Sequence, residues 1–295
     1  MDVFGIGITV VDQQFMVKQL PAEDQKERAV SMRTQVGGPV PTALVLLQRF
    51  GFTTHLVSPW GADPPAQYIQ QDLHRENVSC SSSCVGDRTT GLAHVWVSET
   101  NGSRTIVSHA ADWDGLTLSG ADSNHLQTCR LLHTDGAGAQ LTVESARTVK
   151  RNGGLVTVDA GSPKKATADL IPLADVFSFP ERFARQFFET TEPDIAGKRL
   201  LELGARAAVC TLGQKGARVY SCDGITFIPA FPVQTVDSTG AGDIFCGGLI
   251  SGILDGDSCV EAAYRGAAAA ALKCRHSGNR EAIPDRDTVL ALLRD

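Results

Sequence analysis

The run Val236-Asp237-Ser238-Thr239-Gly240-Ala241-Gly242-Asp243-Ile244-Phe245 combines two closely spaced glycines, neighbouring hydroxyls and two carboxylates. Glycines let a backbone turn tightly, and a helix that starts at such a turn presents unpaired N–H groups reinforced by its dipole. Ile244, Phe245, Leu249 and Ile253 predict that helix, and Phe231 to Val236 reads as a strand leading into the turn. The backbone from Gly240 through Ala241 and Gly242 to Asp243 would then form an anion cradle. Asp243 falls in the first helical turn, so its carboxylate can face whatever the amides hold. A hydroxyl placed there would find a base for its proton, and a phosphoryl group moving onto it would find a sink for its charge. A glycine loop capped by aspartate can exist without a ligand, but the full run on a strand-to-helix turn is far more specific than an isolated Gly-x-Gly.

The elements that must position this segment follow from periodicity. Val3 to Val11 is an apolar, β-branched run that suits a strand buried on both faces of a parallel sheet. Pro39 to Phe50 reads as a helix whose Val40, Ala43, Leu44, Leu47 and Phe50 share a face and which Gly51 stops. His55 to Val57 is strand-like, and Asp63-Pro64 opens a second helix as cap and first-turn residue. Thr90 to Val97 and Arg104 to Ser108 read as strands joined through Glu99-Thr100-Asn101-Gly102-Ser103. Strands near Leu131, Val156 and Val176 then alternate with helices near Ser145 and Phe183, and a further strand runs from Arg206 to Leu212. Helices follow over Ala241 to Leu254, Cys259 to Cys274 and Asp287 to Leu293, the second close-packed through Ala267 to Ala271. This alternation predicts an α/β sandwich with a mainly parallel sheet. Two stretches without helices, roughly 12–36 and 86–112, predict a small β lid at the sheet edge of a single domain spanning 1–295.

The bulk composition sets outer limits. With 295 residues and 42% hydrophobic side chains, the chain can bury one large core. A net charge of −6 disfavours a general nucleic-acid binder, which needs clustered Lys and Arg. The apolar run Gly266 to Leu272 is far short of a membrane span, and Met1-Asp2 is followed by strand-like sequence rather than a leader, so a cytoplasmic protein is expected. Among eight cysteines only Cys80 and Cys84 lie close together, which predicts reduced thiols rather than a structural zinc site.

Taken together, the Asp237–Asp243 segment resembles the second hallmark of the ribokinase, or PfkB, carbohydrate kinases, and the similarity extends over essentially the whole chain. Gly37-Gly38 before a helix is similar to the first hallmark, which approaches the sugar, and Asp12 matches the position of an aspartate that binds sugar hydroxyls. Thr211-Leu212-Gly213-Gln214-Lys215-Gly216 resembles the nucleotide loop. The resemblance implies a three-layer α/β/α sandwich with a β lid, ATP and magnesium as cofactors, a sugar acceptor, and a homodimer formed through the lid. Thr42 stands where the family usually has Asn, and Ser178-Phe179-Pro180-Glu181 keeps the Glu but not the Asn of an Asn-x-x-Glu element. Glu181 is accordingly expected to order a magnesium-bound water, and Ser178 to lie at the nucleotide. The resemblance also implies a monovalent cation such as K+ beside the cradle, at Asp237 and the Thr239 backbone. Gly278-Asn279-Arg280-Glu281-Ala282-Ile283-Pro284-Asp285 looks most like the branch that contains sulfofructose kinase.

Lesser features carry blander expectations. His94 and His109 fall in the lid, and Arg104 is expected to be exposed there, as is the Lys164-Lys165 pair beyond Asp159. A nicotinamide enzyme would want a third glycine where Gly5-Ile6-Gly7-Ile8-Thr9-Val10 has Val, and no Gly-x4-Gly-Lys-Ser/Thr loop occurs. Two alternatives stay open: a nucleoside acceptor, with Phe15, Trp96 and Trp113 as candidates for a base slot, and a non-catalytic sugar-sensing module.

Overall fold

Central strands made wholly of buried residues organise the molecule. A computed structural model describes residues 1–81, 87–100 and 104–294. In it β1 (Val3–Ile6), β4 (Thr54–Val57) and β8 (Leu131–Thr134) are buried along their whole length, as strands covered on both faces must be. With β2 (Val10–Val17), β3 (Ser31–Gly37), β5 (Ser79–Cys80), β6 (Leu92–Ser98), β7 (Arg104–His109), β9 (Leu155–Asp159), β10 (Val176–Pro180), β11 (Ala208–Thr211), β12 (Ala217–Ser221) and β13 (Gly224–Ile228) they form two sheets. The larger has nine strands in the order β13-β12-β11-β10-β9-β8-β1-β4-β5, parallel except for the β11-β12-β13 meander at one edge. The smaller has four strands, β3-β2-β6-β7, with antiparallel pairs at both edges. It is the expected lid. Residue 86 of the lid stretch, Asn101-Gly102-Ser103 of the hairpin turn and Cys84 lie outside the described residues.

Helices cover both faces of the large sheet. α1 (Pro39–Arg49), α8 (Ala241–Asp255), α9 (Cys259–Cys274) and α10 (Arg286–Leu292) pack in sequence as neighbours, while α3 (Gly120–Thr128), α4 (Ala139–Arg151) and α5 (Thr167–Leu170) form another group. β9 touches α4 and α8, which belong to these opposite layers, and β12 likewise touches α7 (Pro193–Glu202) and α9. Alternation along β10 shows the same two-sidedness: Phe177 and Phe179 meet Phe183 of α6 (Glu181–Phe187), and Val176 joins the cluster containing Phe245 and Leu249 of α8. The glycines at 248 and 266 let α8 and α9 approach closely, since a Cβ at Gly248 would stand 2.9 Å from the Gly266 Cα. α2 (Pro64–Arg75) begins as expected, with Asp63 accepting from the Ala66 amide. No helix among the described residues is long and apolar enough to cross a membrane.

One local expectation fails, and one element is unanticipated. Residues 231–236 form no strand; Pro229 and Pro232 interrupt the donors a ladder needs, and the amides of Val236 and Asp237 bond the Cys274 carbonyl at 2.8 and 3.2 Å instead. The β12–β13 hairpin, by contrast, goes unread in the sequence although Cys222-Asp223-Gly224 marks its turn. Seven cysteines, including Cys80, are free thiols.

Candidate active site

The carboxyl ends of the parallel strands bring the chemistry together. α8 starts at Gly240, whose φ of 75° only glycine adopts without strain. A Cβ placed on Gly240 would lie 3.6 Å from Asn279 Oδ1, 3.8 Å from Asp243 Oδ2 and 4.0 Å from Thr42 Cγ2. The two glycine hallmarks therefore meet across one small space. Of the three expected amides, that of Ala241 donates within the turn to the Ser238 carbonyl at 3.2 Å, so the cradle is narrower than the sequence suggests. The amides of Gly242 and Asp243 have no acceptor among the described residues, as first-turn donors lack one by geometry. Gly242 is exposed, and a Cβ there would meet nothing within 4 Å. The cradle opens away from the protein's own atoms at Gly242.

Asp12 lies on β2 opposite Gln35, and its carboxylate rests on the Cα of Gly37, where any Cβ would collide with it. Gly38 caps α1 with a φ of 115° that places it against the Ile8 carbonyl. Thr42 is buried on α1, and its hydroxyl accepts from Arg280 Nη1 at 3.4 Å. Arg280 in turn is held by Asp72 of α2, Nε to Oδ2 at 3.0 Å and Nη2 to Oδ2 at 2.9 Å. Asn279 donates from its side chain to the Val36 carbonyl at 3.1 Å, leaving its buried Oδ1 without a partner beside Gly240.

Two carboxylates at the site escaped sequence reasoning. Asp135 follows β8 and is fixed by the amides of Ile8 and Ala137, both at 2.9 Å. Asp159 ends β9 and, with Ser178, lies within hydrogen-bonding reach of the buried Cys246 thiol. The group has electrostatic consequences. Burial first, and then the neighbouring charges of Asp159, Asp12 and Asp135, push Asp243 up to about 8, with Arg182 opposing. Burial and Asp135 push Asp159 up to about 6 against Lys164 and Arg182, and burial lifts Asp12 to about 6 against Arg280. A carboxyl end of one strand is unremarkable in a sequence; four that converge are visible only once the strand order is known.

The remaining expected residues divide. Thr211 ends β11, and the 213–216 loop beyond it is closed by Leu212 N–H to the Gly216 carbonyl at 2.8 Å, with Gly213 and Gly216 at positive φ. Glu181 opens α6 directly after β10, on the neighbouring strand end. Ser178 is buried in the sheet beneath α8 with Cys246, in register with Asp159 of β9. Lys164 is not a freely solvated charge: its ammonium donates to the Asp135 carbonyl at 2.8 Å. Arg182, unremarked in the sequence, donates to the Gly161 carbonyl at 2.7 Å and lies on the same rim. Arg104 is exposed, as expected, yet reaches from the lid to the Thr239 hydroxyl at 2.8 Å. His94 stacks on Phe15, and His109 is exposed. Beside Asp135 a cleft of about 1010 Å³ opens, with Ile8, Trp113, Ala137 and Lys164 among its walls.

A carboxyl raised by burial and by neighbouring carboxylates, in the first turn of a helix with two unpartnered amides, has the chemistry for proton removal next to a bound anion. Known proteins resemble the whole chain. The ribokinase of Haemophilus influenzae is 26% identical over 268 residues, covering 87% of each chain. The ketohexokinase of Mus musculus is 24% identical over 287 residues, covering 92% of this chain and 96% of its own. The Arabidopsis thaliana ribokinase solved with ribose and ATP shares the fold, with a TM-score of 0.85 at 23% identity over 100% of this chain and 99% of that one. The pfkB family carbohydrate kinase profile matches residues 2–286. The chain therefore belongs to the pfkB family of carbohydrate kinases, phosphotransferases that act on sugar hydroxyls.

Proposed function

We propose that this kinase moves the γ-phosphoryl group of ATP onto a hydroxyl of a sugar or sugar derivative, with Asp243 as the general base. The observation that carries this reading is the pairing at the start of α8: a carboxyl raised to about 8 stands in the same helical turn as two partnerless amides. A base matched to neutral pH removes a hydroxyl proton more effectively than an ordinary carboxylate would. The amides of Gly242 and Asp243, and the cations Arg182 and Lys164, would take up charge spreading over the transferred oxygens. Asp12 and the unpartnered Asn279 Oδ1 are the natural acceptors for sugar hydroxyls, with Gly37 and Gly38 allowing close approach and Thr42 lining the same space.

ATP would lie across the carboxyl ends of β10 and β11, against Thr211, Gly213 and Gly216. Magnesium usually keeps several waters and phosphate oxygens, so it needs only one or two protein carboxylates, and Glu181 and Asp159 at adjacent strand ends fit that role. When bound, it would neutralise phosphate charge. A homodimer through the lid is supported by Met32, Val30, Ile106 and Val107, all more than half exposed on the two edge strands or beside them. Trp113 in the cleft wall favours a nucleoside as the second reading, since an aromatic wall can stack a base.

Screening ketoses, sugar acids, sulfosugars and nucleosides for acceptor-dependent ADP release tests the proposal. Release with a sugar or sugar derivative is expected. Release with nucleosides alone establishes the second reading, and no release with any acceptor overturns both in favour of a sensing module.

A further inference from the structure

Asp237 opens the turn that ends in the cradle, and its oxygens are already engaged. Lys273 of α9 is 0% exposed; its ammonium donates to the Asp237 carbonyl at 2.8 Å and stands 3.5 Å from Asp237 Oδ2. Oδ1 accepts from the Thr239 amide at 2.8 Å and Oδ2 from the Gly278 amide at 3.2 Å. Burial lowers the Lys273 ammonium from its ordinary value, with Arg104 adding to this, and the Asp237 carbonyl and carboxylate oppose it by holding the charged group in fixed contacts. A free monovalent cation bound through Asp237 would need the same carbonyl and carboxylate, and would sit against a fixed positive charge in a poorly solvated place. The residues do not fit it. A primary ammonium nonetheless resembles K+ in charge, size and preference for carbonyl oxygens, so the tethered group can serve the same end. It holds the 237–240 turn against α9 and places positive charge behind the amides that face the phosphoryl group.

We propose that Lys273 is the built-in cation of this site and that turnover proceeds without any added monovalent ion. This rests on the phosphoryl-transfer reading above, and the two can fail separately: that reading fails if no acceptor gives ADP release, this one if release is switched on by K+.

The test titrates KCl against choline chloride at constant ionic strength and follows both ADP release and thermal unfolding. For the wild type, a change of less than about twofold in rate and no saturable rise in melting temperature are expected, because a preorganised charge leaves little for an added ion to contribute. Saturable activation by K+ of about fivefold or more, or a saturable stabilisation, overturns the proposal. Lys273→Met removes the charge at similar length. If it folds, loss of turnover supports the proposal whether or not K+ restores it, and full turnover in choline alone contradicts it. If it does not fold, the wild-type titration decides.

Discussion

Replacing Asp243 by Asn should stabilise the protein, and increasingly so as pH rises. The Asp243 carboxyl rises from 3.8 to about 8 on folding, so the native state binds a proton more tightly than the unfolded chain. Between those two values each unit of pH then erodes stability, and the erosion stops once the native carboxyl has ionised. Converted in full at about 1.36 kcal/mol per unit, the shift corresponds to about 6 kcal/mol. The side chain is only half-buried by surface exposure, so water screens part of this and about 6 kcal/mol is an upper bound. Asn keeps the shape and cannot ionise. The difference in unfolding free energy between variant and wild type should be near zero around pH 4, grow through neutrality and level off above pH 8 at no more than about 6 kcal/mol. In a chain of this size each kcal/mol gained raises the melting temperature by about 2 °C. Paired thermal and urea unfolding curves from pH 4 to 9 measure it, and subtraction removes the contributions of groups common to both proteins. A difference that stays flat across the range would show that Asp243 is not held in an unfavourable field.

Three other substitutions probe neighbouring parts of the site. Gly242→Val, where a Cβ meets nothing within 4 Å, should melt within about 1 °C of the wild type yet lose about 10²-fold in kcat, as one anion donor is obstructed; normal phosphorylation would place the cradle elsewhere. Gly37→Ala drives a methyl into the Asp12 carboxylate and should raise the acceptor KM about 10-fold or more while the ATP KM holds; an unchanged acceptor KM would separate Asp12 from the sugar. Arg280→Gln leaves Asp72 buried without its counter-charge and should cost about 3–5 kcal/mol in urea unfolding; a loss below about 1 kcal/mol would mean the pair is solvated.

What the sequence made legible was local. The expected bounds of α9, Cys259 to Cys274, match the observed helix, and Asp63-Pro64 announced α2 because cap and proline act within a single turn. The α8 start was legible for the same reason: glycines, amides and Asp243 lie within four residues. Proline chemistry was underweighted at 231–236, where an apolar run suggested a strand that Pro229 and Pro232 preclude. The site's outer members were illegible because strand order, not spacing, assembles them. Asp135 just beyond β8 and Asp159 at the end of the adjacent β9 are 24 residues apart in sequence, and each alone reads as a strand-ending aspartate. Lys273 looks like a surface charge at the end of an alanine-rich helix, and only the packing of α9 against the Asp237 turn turns it inward.

The most direct measurement is the turnover of Asp243→Asn with an accepted sugar, read beside its affinity for ATP. Removal of the base should lower kcat by about 10²–10⁴ while ATP binding stays within about twofold of the wild type. Wild-type turnover in the folded variant would show that the proton leaves by another route.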